Sequence, residues 1–367
     1  MSRYIHLLKD WPTFKWEDEK IILSLSTVRN KQGRLLGKLE GLGFRLREEA
    51  TLETLTQDVI KSSEIEGEKL PADQVRSSIA RRLGIETAGE VTANRNVEGV
   101  VEMMLDATQR YNELLNDERL LGWHASLFPT GRSGIYKIQV GAWRDDAKGP
   151  MQVVSGAIGK EKIHYEAPEA GRLDIEMTKF LEWFNKTTTM DPVLKAAIAH
   201  LWFVTIHPFD DGNGRIARAI ADMQLARADA SRQRFYSMSA QIQRERNVYY
   251  DILEKTQKGN LDITKWLLWF IECLDRAISL SEENLSGVTQ KAKFWESHQG
   301  VTLNERQRKM LNMLLDRFEG KLTSSKWAKI AKCSPDTALR DIQDLIEKGI
   351  LEKEEGGGRS TSYRIRG

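Results

Sequence analysis

Residues 207–218 read His-Pro-Phe-Asp-Asp-Gly-Asn-Gly-Arg-Ile-Ala-Arg. Gly212-Asn213-Gly214 can take positive-φ conformations that turn successive backbone N–H groups toward one point, forming a nest for an anion. A helix starting near Arg215 would add its N-terminal partial charge and unsatisfied donors to that nest. Arg215 and Arg218, three apart on that helix, share a face and can each fork onto phosphate oxygens. Asp211 is acidic in an otherwise cationic loop, and a hard carboxylate there suits Mg²⁺, which would bridge two phosphates and neutralise their charge. His207 lies beside this phosphate site and titrates near neutral pH, which makes it the natural general base. A glycine-rich turn between helices needs glycine alone, so the histidine, the carboxylate and the paired arginines favour chemistry over a purely structural turn.

Elements to hold this loop are legible on both sides of it. Asp191-Pro192 supplies an N-cap and a pre-set first helical residue, after which Leu194, Ile198, Leu201 and Thr205 stack down one face toward His207. The helix should stop near Pro208. Ile216 begins a second apolar-periodic helix through Ile220, Met223 and Leu225, so 208–215 is expected to be a tight loop between helices. Further helices are expected around 248–256 and 263–280. Upstream, 16–83 is helical and charge-rich, with Leu52, Leu55, Val59 and Ile60 on one face, and is expected to be an independent module. Between 136 and 168, β-prone runs at 137–140, 151–154 and 162–165, separated by Gly156 and Gly159, fit a β-hairpin. Polar residues at 281–289 are expected to link to a last module of three helix patterns and a β-prone end. The fold class is therefore mainly α, with expected domains at 1–95, 96–285 and 300–367.

The 367 residues, 40% hydrophobic and 29% charged, can bury an ordinary core. A formal charge of +2 excludes a strongly polyelectrolyte chain, so any nucleic-acid surface would be local. Cys273 and Cys333 have no metal-ligand spacing, which argues against a disulfide framework or a zinc site. No uncharged 18-residue stretch or signal-peptide pattern occurs, so the expected setting is soluble and cytoplasmic, without a membrane partner.

The 207–218 motif resembles that of the Fic (filamentation induced by cAMP) family of AMP transferases, and every signature position is occupied. The resemblance implies that His207 takes the proton from a hydroxyl of a target protein, and that this oxygen attacks the α-phosphorus of ATP with pyrophosphate leaving. It also implies that Asp211 binds Mg²⁺, that Gly212, Asn213 and Gly214 cradle the phosphates, that Arg215 meets the β-phosphate and that Arg218 meets the γ-phosphate. Phe209 would pack into the core and hold the loop. The family fold is a helical bundle with a β-hairpin flap that aligns the target by strand addition, which makes Ile163, His164 and Tyr165 the flap candidates. Tyr249 and Gln257 fall where the family contributes adenine contacts, although aromatics at helical spacing are more often core.

Ser62-Ser63-Glu64-Ile65-Glu66-Gly67 matches the family's inhibitory signature, Ser/Thr-x-x-x-Glu-Gly/Asn. In the resemblance Glu66, with Ser62 and Gly67 completing the pattern, pairs with Arg218 and takes the place of the γ-phosphate, so ATP binds misaligned. Some relatives use the same glutamate to remove AMP, which leaves both directions open. The first 80 residues or so resemble an extension found on a subset of the family. The C-terminal module resembles a winged helix-turn-helix, with Ser334 and Pro335 opening its third helix, and Gly356, Gly357, Gly358, Arg359, Arg364 and Arg366 in the wing. Its third helix is expected to expose Asp336, Asp341, Asp344 and Glu347, which opposes DNA binding and leaves protein docking or self-association, as in a homodimer, as the competing reading. The function expected is protein AMP transfer, including self-modification. The alternative is a nucleotide-sensing DNA-binding regulator, on which retention of His207 has no explanation.

Overall fold

The computed structural model describes residues 4–86, 91–147, 149–156, 160–315, 318, 320–354 and 361–366. It divides into two compact units, Met1–Ser281 and Glu282–Gly367. The first unit opens with α1 (Asp18–Glu40), α2 (Phe44–Ile65), α3 (Ala72–Leu83), α4 (Arg95–Gln109) and α5 (Asp117–Leu127). Two short antiparallel pairs follow, β1 (Arg132–Ser133) with β2 (Tyr136–Lys137), and β3 (Gln152–Ser155) with β4 (Lys162–Glu166). Then come α6 (Leu173–Asn185), α7 (Pro192–Ile206), α8 (Asn213–Asp229), α9 (Met238–Arg244) and α10 (Arg246–Gln257). The division between units falls within α11 (Thr264–Ser297).

α7 is the centre of the first unit. Asp191 accepts from the Val193 N–H at 2.8 Å and Pro192 opens the helix, as the sequence predicts. Every residue from Val193 to Ile206 is buried, so α7 has no solvent face and is packed on all sides. α8 lies along it, and α4, α5 and α6 close around the pair. Gly99 lets α4 meet α5 backbone to backbone, since a Cβ there would sit 1.8 Å from the Ser126 carbonyl oxygen.

The N-terminal helices share this core instead of forming the separate module expected at 1–95. Gln32 on α1 donates to Asp229 at 2.7 Å, Lys31 pairs with Asp275 at 2.8 Å, and α2 packs on α9, α4 and α8. The hairpin expected across 136–168 is two pieces. The run at 137–140 begins by turning back onto 132–133, through Gly134 at φ 54°, while the other two runs pair with each other. The tip of that second pair, including Gly159, lies outside the described residues. The linker expected at 281–289 is helical and continues α11. No proline interrupts it, and serine and glutamate are tolerated in a helix interior.

The second unit contains α12 (Glu305–Leu315), α13 (Ser324–Ala331), α14 (Pro335–Glu347) and the antiparallel pair β5 (Leu351–Lys353) and β6 (Tyr363–Ile365). Met310, Leu311, Trp327, Ile342 and Leu345 form its core. Ser334 caps α14 by accepting from the Thr337 N–H, with Pro335 first in the helix. Gly356, Gly357, Gly358 and Arg359 lie outside the described residues. The expectation that α14 turns four acids outward is corrected. Ala338, Asp341, Ile342 and Leu345 share its buried stripe, and Asp341 is 6% exposed and held there by Arg306 at 2.9 Å. Asp344 accepts from Gln307 and Lys348 but its side chain stays 42% exposed, so Asp336, Asp344 and Glu347 face outward as expected and Asp341 alone is turned in.

Burial also sets the acid response of the fold. His200 of α7 is enclosed, with Nε2 bonded to the Tyr249 hydroxyl at 2.9 Å. Burial, with the charge of Arg218 acting in the same direction, pushes its pKa down to about 3. A histidine depressed in the folded state contributes stability that is complete above its unfolded value, near 6.5, and is lost as pH falls from there toward 3. His200→Gln should therefore show a shallower loss of unfolding free energy between pH 6.5 and 4 than the parent chain, measured by urea titration at several pH values. Equal slopes would show that His200 does not carry this response.

Candidate functional site

The end of α7 and the start of α8 build the site from two constrained backbone positions. His207 caps α7 in the left-handed region at φ 53°, with its N–H returning to the Phe203 carbonyl at 3.0 Å. A side chain there costs about 1–2 kcal/mol, so the position needs holding. Its ring Nδ1 donates to the Val204 carbonyl at 3.2 Å, and its own carbonyl accepts from Arg144 Nε at 2.8 Å. With the proton on Nδ1, Nε2 keeps a lone pair and is the basic nitrogen. Burial, opposed by the Val204 hydrogen bond and reinforced by the Arg144 charge, pushes the ring pKa down to about 4. His207 is therefore neutral at pH 7, the form a base requires.

Between the helices, Asn213 clamps the turn. Its Oδ1 accepts from the Phe209 N–H at 3.0 Å while its Nδ2 donates to the Phe209 carbonyl at 2.8 Å. Phe209 is fully buried, stacked on His124 with centroids 4.1 Å apart and planes within 5°. Asp211 accepts from the Gly212 N–H at 2.6 Å and from the Ser133 hydroxyl. Gly212 has φ 80°, and Phe128 lies 2.9 Å from where its Cβ would be. The nest differs from expectation in one respect: α8 starts at Asn213, two residues ahead of Arg215, and of the three residues expected to take positive φ only Gly212 does. An anion at this turn would consequently meet the N–H groups of the first helical turn, which have no carbonyl partner within the helix.

Gly214 has another role, because a Cβ there would lie 2.2 Å from Glu66 Oε1. Glu66 ends α2, Gly67 follows at φ 87°, and the last turn of α2 presents Ser62 and Glu66 together to α8. Arg218 Nη2 donates to Glu66 Oε1 at 2.8 Å and to the Ser62 carbonyl at 2.8 Å, and Nε donates to Ser62 Oγ at 2.9 Å. Arg218 is 2% exposed; burial works against its charge, but Glu66 together with Tyr249 and Tyr250 outweighs burial and holds the guanidinium protonated more firmly than in water. Arg246 Nε donates to the Ile65 carbonyl at 2.7 Å and fixes this end of α2.

Two participants carry no motif signal. Glu68 accepts from Arg215 Nη1 at 2.8 Å, and Arg215, also 2% exposed, lies over the Phe128 ring at 5.1 Å. Arg144, which supports His207, sits in an irregular segment without periodicity. Periodicity also could not separate the members of the Tyr249-Tyr250 pair. Tyr249 and Gln257, expected at the adenine, are buried against α7, bonded to His200 and to Thr205 Oγ1 at 3.3 Å respectively. It is Tyr250, 37% exposed, whose hydroxyl reaches the Ile65 carbonyl at 3.3 Å, and that oxygen is 3.5 Å from Glu66.

The three flap candidates separate on β4. Ile163 lines a cleft of about 870 Å³ with Val154, Met151, Arg144, Asp210 and Tyr136. His164 bonds to Ser155 Oγ at 2.6 Å and to Glu254 at 2.5 Å. Tyr165 is buried and faces α7, so it anchors the strand and does not meet the cleft.

Residues 4–85 match the family model of a domain of unknown function, DUF4172, and residues 114–225 match the model of the Fic/DOC family. A protein from Culex quinquefasciatus named protein adenylyltransferase Fic is 27% identical over 241 residues, covering 63% of this chain and 42% of that protein. The Drosophila yakuba protein of the same name is 34% identical over 115 residues, covering 31% of this chain and 22% of its own length. The chain thus spans less than half the length of these curated relatives. Among solved structures, a Fic family protein from Desulfovibrio desulfuricans G20 aligns over 94% of this chain and 96% of its own, with TM-score 0.52 and 20% identity. A Fic domain containing signaling protein from Bacteroides thetaiotaomicron VPI-5482 covers 72% and 97%, with TM-score 0.52 and 21% identity. The loop of His207 and the arginine-bearing turn of α8 fall within the matched region, and residues 114–225 are a Fic/DOC domain.

Proposed function

We propose that the chain transfers AMP from ATP to a hydroxyl side chain of a target protein. The observation that carries this reading is the neutral His207, its Nε2 unprotonated, held at the mouth of a helix N-terminus that bears two buried arginines. A nucleotide sensor would need the arginines and the helix end but has no use for a base. The name of the insect relatives, protein adenylyltransferase, supports the same reaction. In it, His207 Nε2 takes the proton of the target hydroxyl, the freed oxygen forms a bond to the α-phosphorus, and the bond from that phosphorus to the bridging oxygen breaks, releasing pyrophosphate. The first turn of α8, Arg215 and Arg218 bind and orient the triphosphate, Arg215 toward the β-phosphate and Arg218 toward the γ-phosphate.

Asp211 is the residue that would hold Mg²⁺. The described residues contain no cluster of three metal-binding side chains, and a single carboxylate suits an ion that completes its shell with phosphate oxygens and water. When bound, Mg²⁺ neutralises phosphate charge. Asp211 itself is oriented by Ser133 and by the Gly212 N–H. We read the cleft beside Ile163 as the place of the target segment, and the C-terminal unit as a winged helix used for docking.

On this reading Glu66 is a brake, since it occupies Arg218. Glu66→Gly should raise incorporation of labelled AMP into the chain and into lysate proteins. Adding His207→Ala to that variant should lower incorporation by about 10²–10⁴-fold while nucleotide binding is retained, and adding Arg218→Ala should remove most of the gain non-additively. Undiminished transfer without His207 would refute the mechanism, and a Glu66→Gly chain no more active than its parent would refute the brake.

Glu68 extends the brake to the other arginine. The β-phosphate is present in ADP and ATP, the γ-phosphate in ATP alone. Glu68→Ala should therefore tighten both nucleotides by a similar factor, whereas Glu66→Gly should favour ATP over ADP, read by calorimetric titration. Unaltered affinities in Glu68→Ala would make Glu68 a bystander.

A further inference from the structure

The residues matched by the domain of unknown function begin at position 4, and that segment meets the flap at one buried node. The Tyr165 hydroxyl donates to the Thr205 carbonyl at 2.7 Å, in the last turn of α7 and two residues before His207. His6 Nδ1 lies 2.9 Å from the same hydroxyl. With the hydroxyl proton committed to Thr205, the tyrosine oxygen can only accept, so His6 must carry its proton on Nδ1. Burial, aided by Arg172, keeps that imidazole neutral by pushing its pKa down to about 4, which fits a single N–H directed at Tyr165. Tyr4 closes the node edge-on, its ring centroid 5.1 Å from that of Tyr165 at 80°. All three side chains are nearly completely buried.

The node is anchored from the other side. Trp11 Nε1 donates to the buried Glu176 of α6 at 2.8 Å, and the Trp11 ring packs against Trp202 of α7 at 6.2 Å. Lys15 exchanges backbone bonds with Leu261 and Ile263 at 2.8 and 2.9 Å. The segment before α1 is therefore a strap drawn across the central helix, with its first described turn inserted beneath β4. Neither β3 nor β4 has a second strand partner among the described residues, so two strands of four and five residues are held without a sheet around them. Tyr165 is the side chain that couples this pair to the helix ending at His207.

We propose that His6 and Tyr4 are positioning residues that fix the register of the flap, through Tyr165, against the end of α7. This rests on the reading of β3–β4 as the element that aligns the target. Tyr165 acts as the hub, with Thr205 on the catalytic side and His6 on the strap side. Among the described residues no hydrogen bond or ion pair joins the strap to Arg215 or Arg218, so its effect falls on presentation of the hydroxyl and leaves ATP binding unaffected.

The test uses the full chain and two readouts. The first is amide hydrogen exchange of 151–156 and 161–167, with α8 as internal reference. Tyr165→Phe and His6→Ala should each speed exchange in the flap about fivefold, the scale of one lost hydrogen bond, and leave α8 unchanged. Because both remove the same chain of bonds, the double variant should be no faster than Tyr165→Phe alone. His6→Asn, which keeps an N–H near the Nδ1 position, should restore protection. The second readout is labelled-AMP incorporation into lysate proteins in the Glu66→Gly background, which should fall in Tyr165→Phe and His6→Ala while ATP affinity is unaltered. Unchanged flap exchange, equal loosening of α8, or additive effects would overturn the proposal. Absence of incorporation in every variant, with the flap exchange as expected, would instead count against the transferase reading and leave the strap standing.

Discussion

The turn between α7 and α8 depends on one side chain satisfying one residue's backbone. Asn213 meets both the N–H and the carbonyl of Phe209, groups that would otherwise be buried without partners. A lost bond at this depth leaves a desolvated polar group and costs about 1–3 kcal/mol. The clamp lets Phe209 sink onto His124, which in turn leaves His207 as the left-handed terminus of α7 and brings the N-terminus of α8 back toward it. His207, the helix-end N–H groups and the two arginines thus owe their mutual placement to a loop that buries its own middle. The asparagine is a brace in this structure, its amide committing one N–H and one oxygen lone pair to the Phe209 backbone.

Much of this was legible because chemistry and geometry coincide in the sequence. Asp191-Pro192 announces a helix start, and the spacing of Arg215 and Arg218 puts both on one helix face, as observed. The apolar faces of α2 and α7 are buried as their periodicity implies. Pattern fails where the deciding partner is distant in sequence. Glu68 and Arg144 matter only because α2 and the irregular segment before β3 arrive beside α7 and α8, contacts separated by 147 and 63 positions. Tyr249 and Tyr250 are adjacent and alike, so only the packing of α10 decides which faces inward. On α14, Asp341 lies on the apolar stripe, and its burial is made tolerable by Arg306, a partner invisible to periodicity.

The glycines divide into two physical classes. Gly212 and Gly67 are needed for their positive φ, one to enter α8 and one to leave α2. Gly214 and Gly99 have ordinary helical backbones and are needed for approach, one to a carboxylate and one to a carbonyl. Sequence reading treats such residues alike, as turn formers. Composition therefore places the helix start near Arg215, two residues later than observed.

Arg215 and Arg218 are each 2% exposed, whereas the side chains of Glu68 and Glu66 are 48% and 30% exposed. The cations are therefore built into the wall of the site while the anions stand toward solvent, so the arrangement is that of an ion exchanger with its counter-ions tethered. A tethered counter-ion competes through an effective concentration set by its leash, here the short run from the end of α2 to Glu68. Such a competitor is not diluted as the protein is diluted, and it yields in proportion to the nucleotide present. On the proposed reading, the tether raises the nucleotide concentration needed for half-occupancy by an amount set by where α2 ends.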